Sequence, residues 1–254
     1  MSKNFELMQE ANLGLAVPTI RGPRLNRAVN DKTRGKAADL KFSSLDAVML
    51  QESLKLVQSL FLSRSDGAPR VVVFAGIDSG NGCSWVCARA AETLASQKVG
   101  SVCLIDANLR SPVLPDLFGV SNHHGLTDAL SKSGPVRDFA KLVRSDNLWL
   151  LSCGSMPDES VGLLNSETMK LRVAELRKEF DYLLVDSPPL NSYADGVGLG
   201  QLADGLVLVL EANSTRHEVA AKVTENLRAA QVKILGAVLN KRTFPIPETL
   251  YKLM

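Results

Sequence analysis

The sequence predicts a doubly wound α/β fold, in which a mostly parallel sheet carries helices on both faces. Short apolar runs rich in Val, Leu and Ile show little polar alternation, which is typical of strands that are buried on both faces. Helical patterns separate these runs along the chain, and this alternation indicates crossover connections between parallel strands. Polar residues follow several of the apolar runs, at the sheet edge where ligands bind in such folds.

Six strands and four helices are predicted in order. The strands cover residues 71–75, 102–106, 148–151, 182–186, 206–210 and 234–239. The helices cover residues 45–62, 84–97, 166–180 and 216–231, and Ser43 or Ser44 is placed to cap the first of them.

Composition excludes several classes of protein. The chain of 254 residues is 45% hydrophobic and carries a formal net charge of +2, whereas a dedicated nucleic-acid binder is usually strongly basic. No apolar run reaches the roughly 20 residues that a membrane helix needs, and the first residues do not have the pattern of a secretory signal. The four cysteines form no CxxC pair and have the pattern of free thiols, so a reducing, cytoplasmic environment is expected.

Two regions differ in pattern. Residues 1–42 show weak periodicity and many basic side chains, which predicts a flexible basic N-terminal tail. Such a tail could contact an anionic membrane surface, although we favour a solvated linker. Residues 43–254 are predicted to form a single folded domain.

A glycine-rich loop joins the first predicted strand to the second helix. It runs from Gly76 to Trp85 and contains Gly80 and Gly82. Backbone N–H groups in such a turn can surround phosphate oxygens, and the helix N-terminus adds partial positive charge. Ser84 stands where a hydroxyl would bind Mg²⁺, but Cys83 occupies the position at which a phosphate-binding lysine is expected. On the loop alone, an ordinary tight turn remains the alternative.

Two aspartates end predicted strands. Asp106 closes the second strand and Asp186 closes the fourth, so both are expected at the ligand edge of the sheet. Together with the glycine loop they form a set of groups that suits a hydrated Mg²⁺ and a nucleotide.

These motifs together resemble the cytoplasmic domain of bacterial tyrosine autokinases of capsule and exopolysaccharide synthesis, which are P-loop relatives of the MinD/ParA ATPases. The resemblance spans about residues 44–239. The matching segments are Phe74-Ala75-Gly76 through Gly82 and Ser84 (Walker A), Leu104-Ile105-Asp106 with Arg110-Ser111-Pro112 and Leu117-Phe118-Gly119 (the A′ motif), Gly125-Leu126-Thr127-Asp128-Ala129-Leu130, Asp181-Tyr182 through Asp186-Ser187-Pro188-Pro189 (Walker B), and Gly236-Ala237-Val238-Leu239-Asn240.

The resemblance implies a site, cofactors and partners. The implied cofactors are ATP or ADP with Mg²⁺. The implied partner is a membrane-embedded polysaccharide chain-length or co-polymerase protein, which would hold the domain at the inner face of the plasma membrane; self-association is also implied. The implied site residues fall into three groups. The nucleotide-binding residues would be Gly76, Gly80, Asn81, Gly82, Cys83, Ser84, Trp85, Arg110, Asn240 and Arg242, the metal ligands would be Ser84, Asp106 and Asp186, and the catalytic residues, if the protein is active, would be Asp106 and Asp186.

The sequence also departs from the family pattern. Cys83 replaces the Walker A lysine, and Asn108 stands where the A′ motif usually has its second aspartate. A segment that resembles the Glu-x-x-Arg-x-x-Arg assembly motif has Lys55 and Gln58 in place of both arginines. The C-terminal segment has one tyrosine, Tyr251, rather than a cluster.

The expected function is therefore a nucleotide-binding regulator whose kinase activity is weakened or lost. An active ATPase or tyrosine autokinase, with Lys241 or Arg242 substituting for the missing lysine, is the first alternative. A MinD/ParA-like positioning ATPase is the second. A redox role for Cys83 is a minor hypothesis, since a thiol at a helix N-terminus tends to have a lowered pKa.

Overall fold

Eight strands form one sheet in the computed structural model, which describes residues 19–20, 44–62, 67–144, 147–155 and 162–242. The strands are β1 (Thr19–Ile20), β2 (Val71–Gly76), β3 (Val102–Asp106), β4 (Lys141–Arg144), β5 (Leu148–Leu151), β6 (Tyr182–Ser187), β7 (Gly205–Glu211) and β8 (Ile234–Asn240). Their order in the sheet is β1-β8-β7-β2-β6-β3-β5-β4. All neighbouring strands are parallel except β4, which pairs antiparallel with β5.

Helices cover both faces of the sheet. The α-helices of the described residues are α1 (Ser44–Val57), α2 (Cys83–Ser96), α3 (Leu114–Phe118), α4 (Leu126–Ser131), α5 (Glu167–Glu179), α6 (Asp195–Leu202) and α7 (His217–Ala229). A π-helical turn, Gln58–Leu62, extends α1, and short 3-10 turns lie at Val136–Phe139 and Leu163–Asn165.

Two apolar cores lie on opposite faces of the sheet, because successive side chains of a strand point to opposite sides. In β2, Val72 and Phe74 face a core formed with α1 and α2, while Val71 and Val73 face a core formed with α5 and α7. This arrangement explains why the strands lack polar alternation: both of their faces are buried.

The glycine loop leaves the sheet at its centre. β2 lies between β6 and β7, and the next strand in the chain, β3, lies beyond β6. Connections therefore diverge on either side of β2, which places the loop at a topological switch point, where α/β sheets open a crevice for ligands.

The doubly wound fold is confirmed, and the six predicted strands begin and end within one residue of the observed ones. The predicted helix over residues 45–62 is α-helical to Val57 and continues as a π-helical turn. The sequence prediction missed α6, whose Gly196, Gly198 and Gly200 disfavour a helix by intrinsic propensity.

The predicted tail lies mostly outside the described residues, so its extent stays a prediction. Within it, Thr19–Ile20 pairs with Leu239 and Asn240 as an edge strand. No helix in the described part of the chain has both the length and the apolar character that a membrane crossing requires.

Candidate functional site

The glycine loop has the backbone conformation of an anion-binding turn. Gly80 and Gly82 both adopt positive φ, at 85° and 80°, on either side of Asn81. Gly82 has a second reason to lack a side chain, because a Cβ there would collide with the amide nitrogen of Asn240. The backbone N–H groups of residues 80–82 donate to no acceptor among the described residues, so they remain available to an anion.

Neighbouring strands hold the loop in place. The N–H of Leu190 donates to the carbonyl of Gly76 at 2.9 Å, and the N–H of Asn191 donates to the carbonyl of Ile77 at 3.0 Å. The amide of Asn191 also donates to Asp78 Oδ1 at 3.1 Å. On the other side, the amide of Asn81 donates to the carbonyl of Val209 at 3.2 Å. The loop is therefore attached both to the segment that follows β6 and to β7.

Asp106 and Asp186 lie side by side at the ligand edge. They are register partners on the adjacent strands β3 and β6, and both are fully buried. They continue the alternating rows that contain Leu104 and Leu184, so they belong to the face covered by α2. The sequence prediction placed both residues at this edge, and the structure brings them together.

The two carboxylates have different partners. Asp106 Oδ1 accepts from the N–H of Asn108 and Oδ2 from the N–H of Leu114, each at 3.2 Å, so this side chain shapes the loop after β3. Neither oxygen of Asp186 has a hydrogen bond of standard geometry among the described residues, although the Ser84 hydroxyl and the Cys83 thiol lie close enough to favour its charged form. A buried carboxylate without well-formed hydrogen bonds is costly unless a ligand completes it, which makes Asp186 the stronger candidate for a metal contact.

Burial is the main cause of the raised pKa values of Asp106 and Asp186. It raises the pKa of Asp186 to about 7, although the Ser84 hydroxyl and the Cys83 thiol beside that carboxylate oppose the increase. Burial and the neighbouring charge of Asp186 raise the pKa of Asp106 to about 8. Because the two groups interact, they titrate as a pair, and at neutral pH the pair tends to retain a proton that a cation would displace.

Cys83, the first residue of α2, is half-buried beside Asp186. Burial raises the pKa of its thiol well above the usual value, and the charge of Asp186 raises it further. Cys87, one helical turn later, has its pKa raised by burial and by the same carboxylates. A reactive thiolate at the helix N-terminus was expected under the redox hypothesis. Burial and the nearby carboxylate both disfavour such a thiolate, so the redox hypothesis gains no support from this environment.

Oxygen donors at this edge suit Mg²⁺, a hard cation that prefers oxygen ligands. The two unpartnered oxygens of Asp186 and the neighbouring Ser84 hydroxyl provide such donors. Asn108 Oδ1 is also buried and without a hydrogen bond within the described ranges. The described residues contain no group of three or more His, Cys, Asp or Glu side chains that could hold a metal alone, so phosphate or water oxygens would complete the shell.

The remaining predicted nucleotide contacts lie around this edge. Arg110 is exposed and stacks over the ring of Tyr193 at 4.9 Å, so it links the loop after β3 to the loop after β6. Trp85 lies in the first turn of α2, under Arg89 at 5.3 Å. Arg242 is exposed at the end of the last described segment. Their contact with a nucleotide stays a prediction.

Asn240 is buried and already engaged, since its amide donates to the carbonyl of Asn81 at 2.8 Å. The sequence prediction gave Asn240 as a nucleotide contact and did not foresee this contact with the loop. It also missed Glu211, which ends β7 and forms an ion pair with Lys241 at 3.1 Å. The rule that polar residues at strand ends face the ligand could have found Glu211.

Comparison with known proteins agrees with this geometry. A sequence model of the ParA family, described as "NUBPL iron-transfer P-loop NTPase", matches residues 69–252. The chain belongs to the ParA family of P-loop NTPases. The matched residues include the glycine loop, both aspartates and the last strand.

Within this family, the chain is homologous to bacterial tyrosine-protein kinases. It is 36% identical over 145 residues to the tyrosine-protein kinase YwqD of Bacillus subtilis, an alignment that covers 57% of this chain and 61% of that protein. It is 27% identical over 193 residues to the putative tyrosine-protein kinase CapB of Staphylococcus aureus, covering 76% and 84%. The chain thus spans less than two thirds of the Bacillus relative.

A solved structure shows the same fold. The kinase domain of the Escherichia coli tyrosine kinase ETK superimposes with a TM-score of 0.80 at 21% identity, covering 97% of this chain and 98% of that domain. At this identity the likeness establishes the fold and not the activity.

Proposed function

We propose that this chain is a nucleotide-binding regulator of capsule or exopolysaccharide synthesis and export, with phosphotransfer weakened or lost. In this proposal it acts in the cytoplasm with a membrane-embedded co-polymerase protein, as its homologous kinases suggest. The observation that carries the proposal is the position of Asp186. Its buried carboxylate lacks well-formed hydrogen bonds and lies beside the Ser84 hydroxyl and the Cys83 thiol, so that a thiol rather than an ammonium is its neighbour. The N–H groups of residues 80–82 in the preceding loop also have no acceptor among the described residues.

The free N–H groups and the Ser84 hydroxyl support retained binding of a nucleotide phosphate. In the proposed complex Mg²⁺ would be held by Ser84 and Asp186, where it would neutralise phosphate charge. Asp106 would act less directly, because both of its oxygens already accept backbone hydrogen bonds.

Two features support weakened phosphotransfer. Cys83 carries no positive charge with which to stabilise charge that develops on the phosphates. Asn108 has an amide where the relatives' pattern has a carboxylate, and an amide cannot accept a proton as a general base. Binding can survive both changes, since backbone donors and Asp186 remain.

An active ATPase or tyrosine kinase is the second candidate, favoured by the ammonium of Lys241, which lies 2.6 Å from the carbonyl of Gly80. Turnover separates the two candidates. Purified protein is incubated with Mg-ATP, and both phosphate release and phosphotyrosine are measured against an Asp186→Asn control.

The proposal predicts that Mg-ADP raises the melting temperature while turnover equals the control. Cys83→Lys combined with Asn108→Asp is the matched variant in which turnover should increase. Turnover in the parent well above the Asp186→Asn background would establish the second candidate instead, and no thermal response to nucleotide would overturn the proposal.

A further inference from the structure

The end of β8 holds two consecutive carbonyls of the glycine loop. Asn240 donates from its side-chain amide to the carbonyl of Asn81 at 2.8 Å. Lys241 donates from Nζ to the carbonyl of Gly80 at 2.6 Å. The peptide units that follow Gly80 and Asn81 are therefore both fixed through their oxygen atoms.

Fixing a carbonyl also directs the N–H of the same peptide unit. In a planar trans peptide the C=O and N–H bonds point to opposite sides. Carbonyls drawn toward β8 therefore turn the N–H groups of Asn81 and Gly82 away from it, toward the interior of the loop. These are two of the N–H groups that have no acceptor in the described part of the chain.

Lys241 is itself held in an unusual conformation. Its φ of 56° lies in the left-handed region, which is uncommon for a residue with a long side chain. Its backbone N–H donates to Asn240 Oδ1 at 2.9 Å, and its ammonium pairs with Glu211 Oε2 at 3.1 Å. Local strain of this kind persists only where the surroundings impose it, and here contacts with Asn240, Glu211 and Gly80 hold the residue in place.

We propose that Lys241 is a positioning residue for the phosphate loop. Together with Asn240 it directs the N–H groups of Asn81 and Gly82 at a bound phosphate, and its ammonium adds positive charge to a loop that has Cys83 in place of lysine. A cation on the carbonyl of Gly80 also polarises that peptide, which strengthens the N–H of Asn81 as a donor. This inference rests on the proposed nucleotide binding.

The test compares Lys241→Met with Lys233→Met, which removes an exposed lysine from the opposite end of β8. Titration calorimetry measures the dissociation constant for Mg-ADP in both variants and in the parent. Because the N–H groups of Asn81 and Gly82 would no longer be held in the orientation that donates to a charged phosphate, Lys241→Met should bind roughly tenfold or more weakly. Lys233→Met should match the parent, and Lys241→Arg should recover much of the affinity because it restores the cation.

A second measurement reports the loop directly. Amide NMR follows the N–H signals of Asn81 and Gly82, which should move without any ligand in Lys241→Met but not in Lys233→Met. In the parent, Mg-ADP should shift the same signals further, as expected when amides donate to phosphate. A merely stabilising role for Lys241 would change the melting temperature and leave these signals and the affinity unchanged.

The outcomes separate the two proposals. If the parent binds Mg-ADP and Lys241→Met binds it equally well, the role of Lys241 is wrong and the proposed function stands. If the parent does not bind Mg-ADP, the proposed function fails. If the N–H signals of Asn81 and Gly82 do not move in ligand-free Lys241→Met, the contact between Lys241 and the Gly80 carbonyl is wrong, whatever the affinity. If Lys241→Met does not fold, Lys241→Gln removes the ammonium while keeping a polar side chain; severalfold weaker binding supports the inference, and unchanged binding overturns it.

Discussion

Replacing Cys83 by lysine should restore charge where the loop lacks it. Cys83 begins α2 and lies beside Asp186, whose two oxygens are unpartnered among the described residues. A lysine there would extend from the helix N-terminus past the same carboxylate toward the free N–H groups of the loop. Its ammonium could then contact a bound phosphate that the thiol cannot attract.

The magnitude follows from the contact that is gained. A hydrogen bond to a charged group contributes roughly 1.5–3 kcal/mol, which corresponds to about 10- to 150-fold in affinity. At saturating Mg-ADP, a tenfold gain adds about 1.4 kcal/mol of ligand stabilisation. For a domain of this size that is about 3–6 °C of additional increase in melting temperature.

Before nucleotide binds, the carboxylate of Asp186 would balance the charge of the lysine ammonium in Cys83→Lys. The ammonium would favour the ionised form of Asp186 and so lower the raised pKa of that carboxyl. Cys83→Lys should therefore fold with stability near that of the parent, and part of the gain on binding is offset by loss of the Asp186 contact. Cys83→Met is the matched control, since it has similar length without charge.

The assay is thermal denaturation with and without Mg-ADP, followed by titration calorimetry on the three proteins. We expect tighter binding in Cys83→Lys than in the parent or in Cys83→Met. A well-folded Cys83→Lys protein whose affinity equals that of Cys83→Met would refute the reasoning, because the loop would then be a structural turn rather than a phosphate site.

Two further predictions concern pH and assembly. Folding raises the pKa values of Asp106 and Asp186 to about 8 and about 7. The free energy of unfolding that these groups contribute is therefore fully present below about pH 4 and is lost as the pH rises through about 7–8. The loss is about 1.4 kcal/mol for each unit by which the folded pKa exceeds the unfolded one. Asp186→Asn should therefore gain stability over the parent between pH 5 and pH 8 in urea denaturation, and a pH-independent difference would contradict this. The prediction on assembly concerns α1, in which Glu52 forms an ion pair with Lys55 at 2.7 Å. Neither Lys55 nor Gln58 can form the bidentate hydrogen bonds with a carboxylate that arginine forms. A closed ring should be weak unless both are changed to arginine; light scattering that shows a stable ring for the parent at micromolar concentration would exclude this account.

The sequence predicted the features that depend on local pattern. Buried apolar runs give strands, and their last residues must meet at one edge, so Asp106 and Asp186 were placed together without a structure. Their different roles could not be predicted, because the N–H groups that occupy Asp106 come from the loop after β3. The raised thiol pKa of Cys83 was missed for a related reason, since it depends on burial beside Asp186, a residue distant in the chain.

The other features that could not be predicted from the sequence depend on contacts between distant parts of the chain. β4 pairs antiparallel at the sheet edge through only a few residues, which leaves a weak signal in the sequence. The contacts of Lys241 with Gly80 and Glu211 join three strand ends that meet only in the folded sheet. The sequence indicated Lys241 as a possible substitute cation, but its hydrogen bond to the carbonyl of Gly80 depends on how β8 and the glycine loop pack together.

Calorimetric titration of ADP tests the central claim most directly. The parent is titrated at millimolar nucleotide with Mg²⁺ and again with chelator, and Asp186→Asn is titrated with Mg²⁺. We predict weak binding in the parent that depends on Mg²⁺, and loss of that dependence in Asp186→Asn. Absence of binding heat in the parent, or equal affinity with and without Mg²⁺, would contradict the assignment of this site to a metal-bound nucleotide.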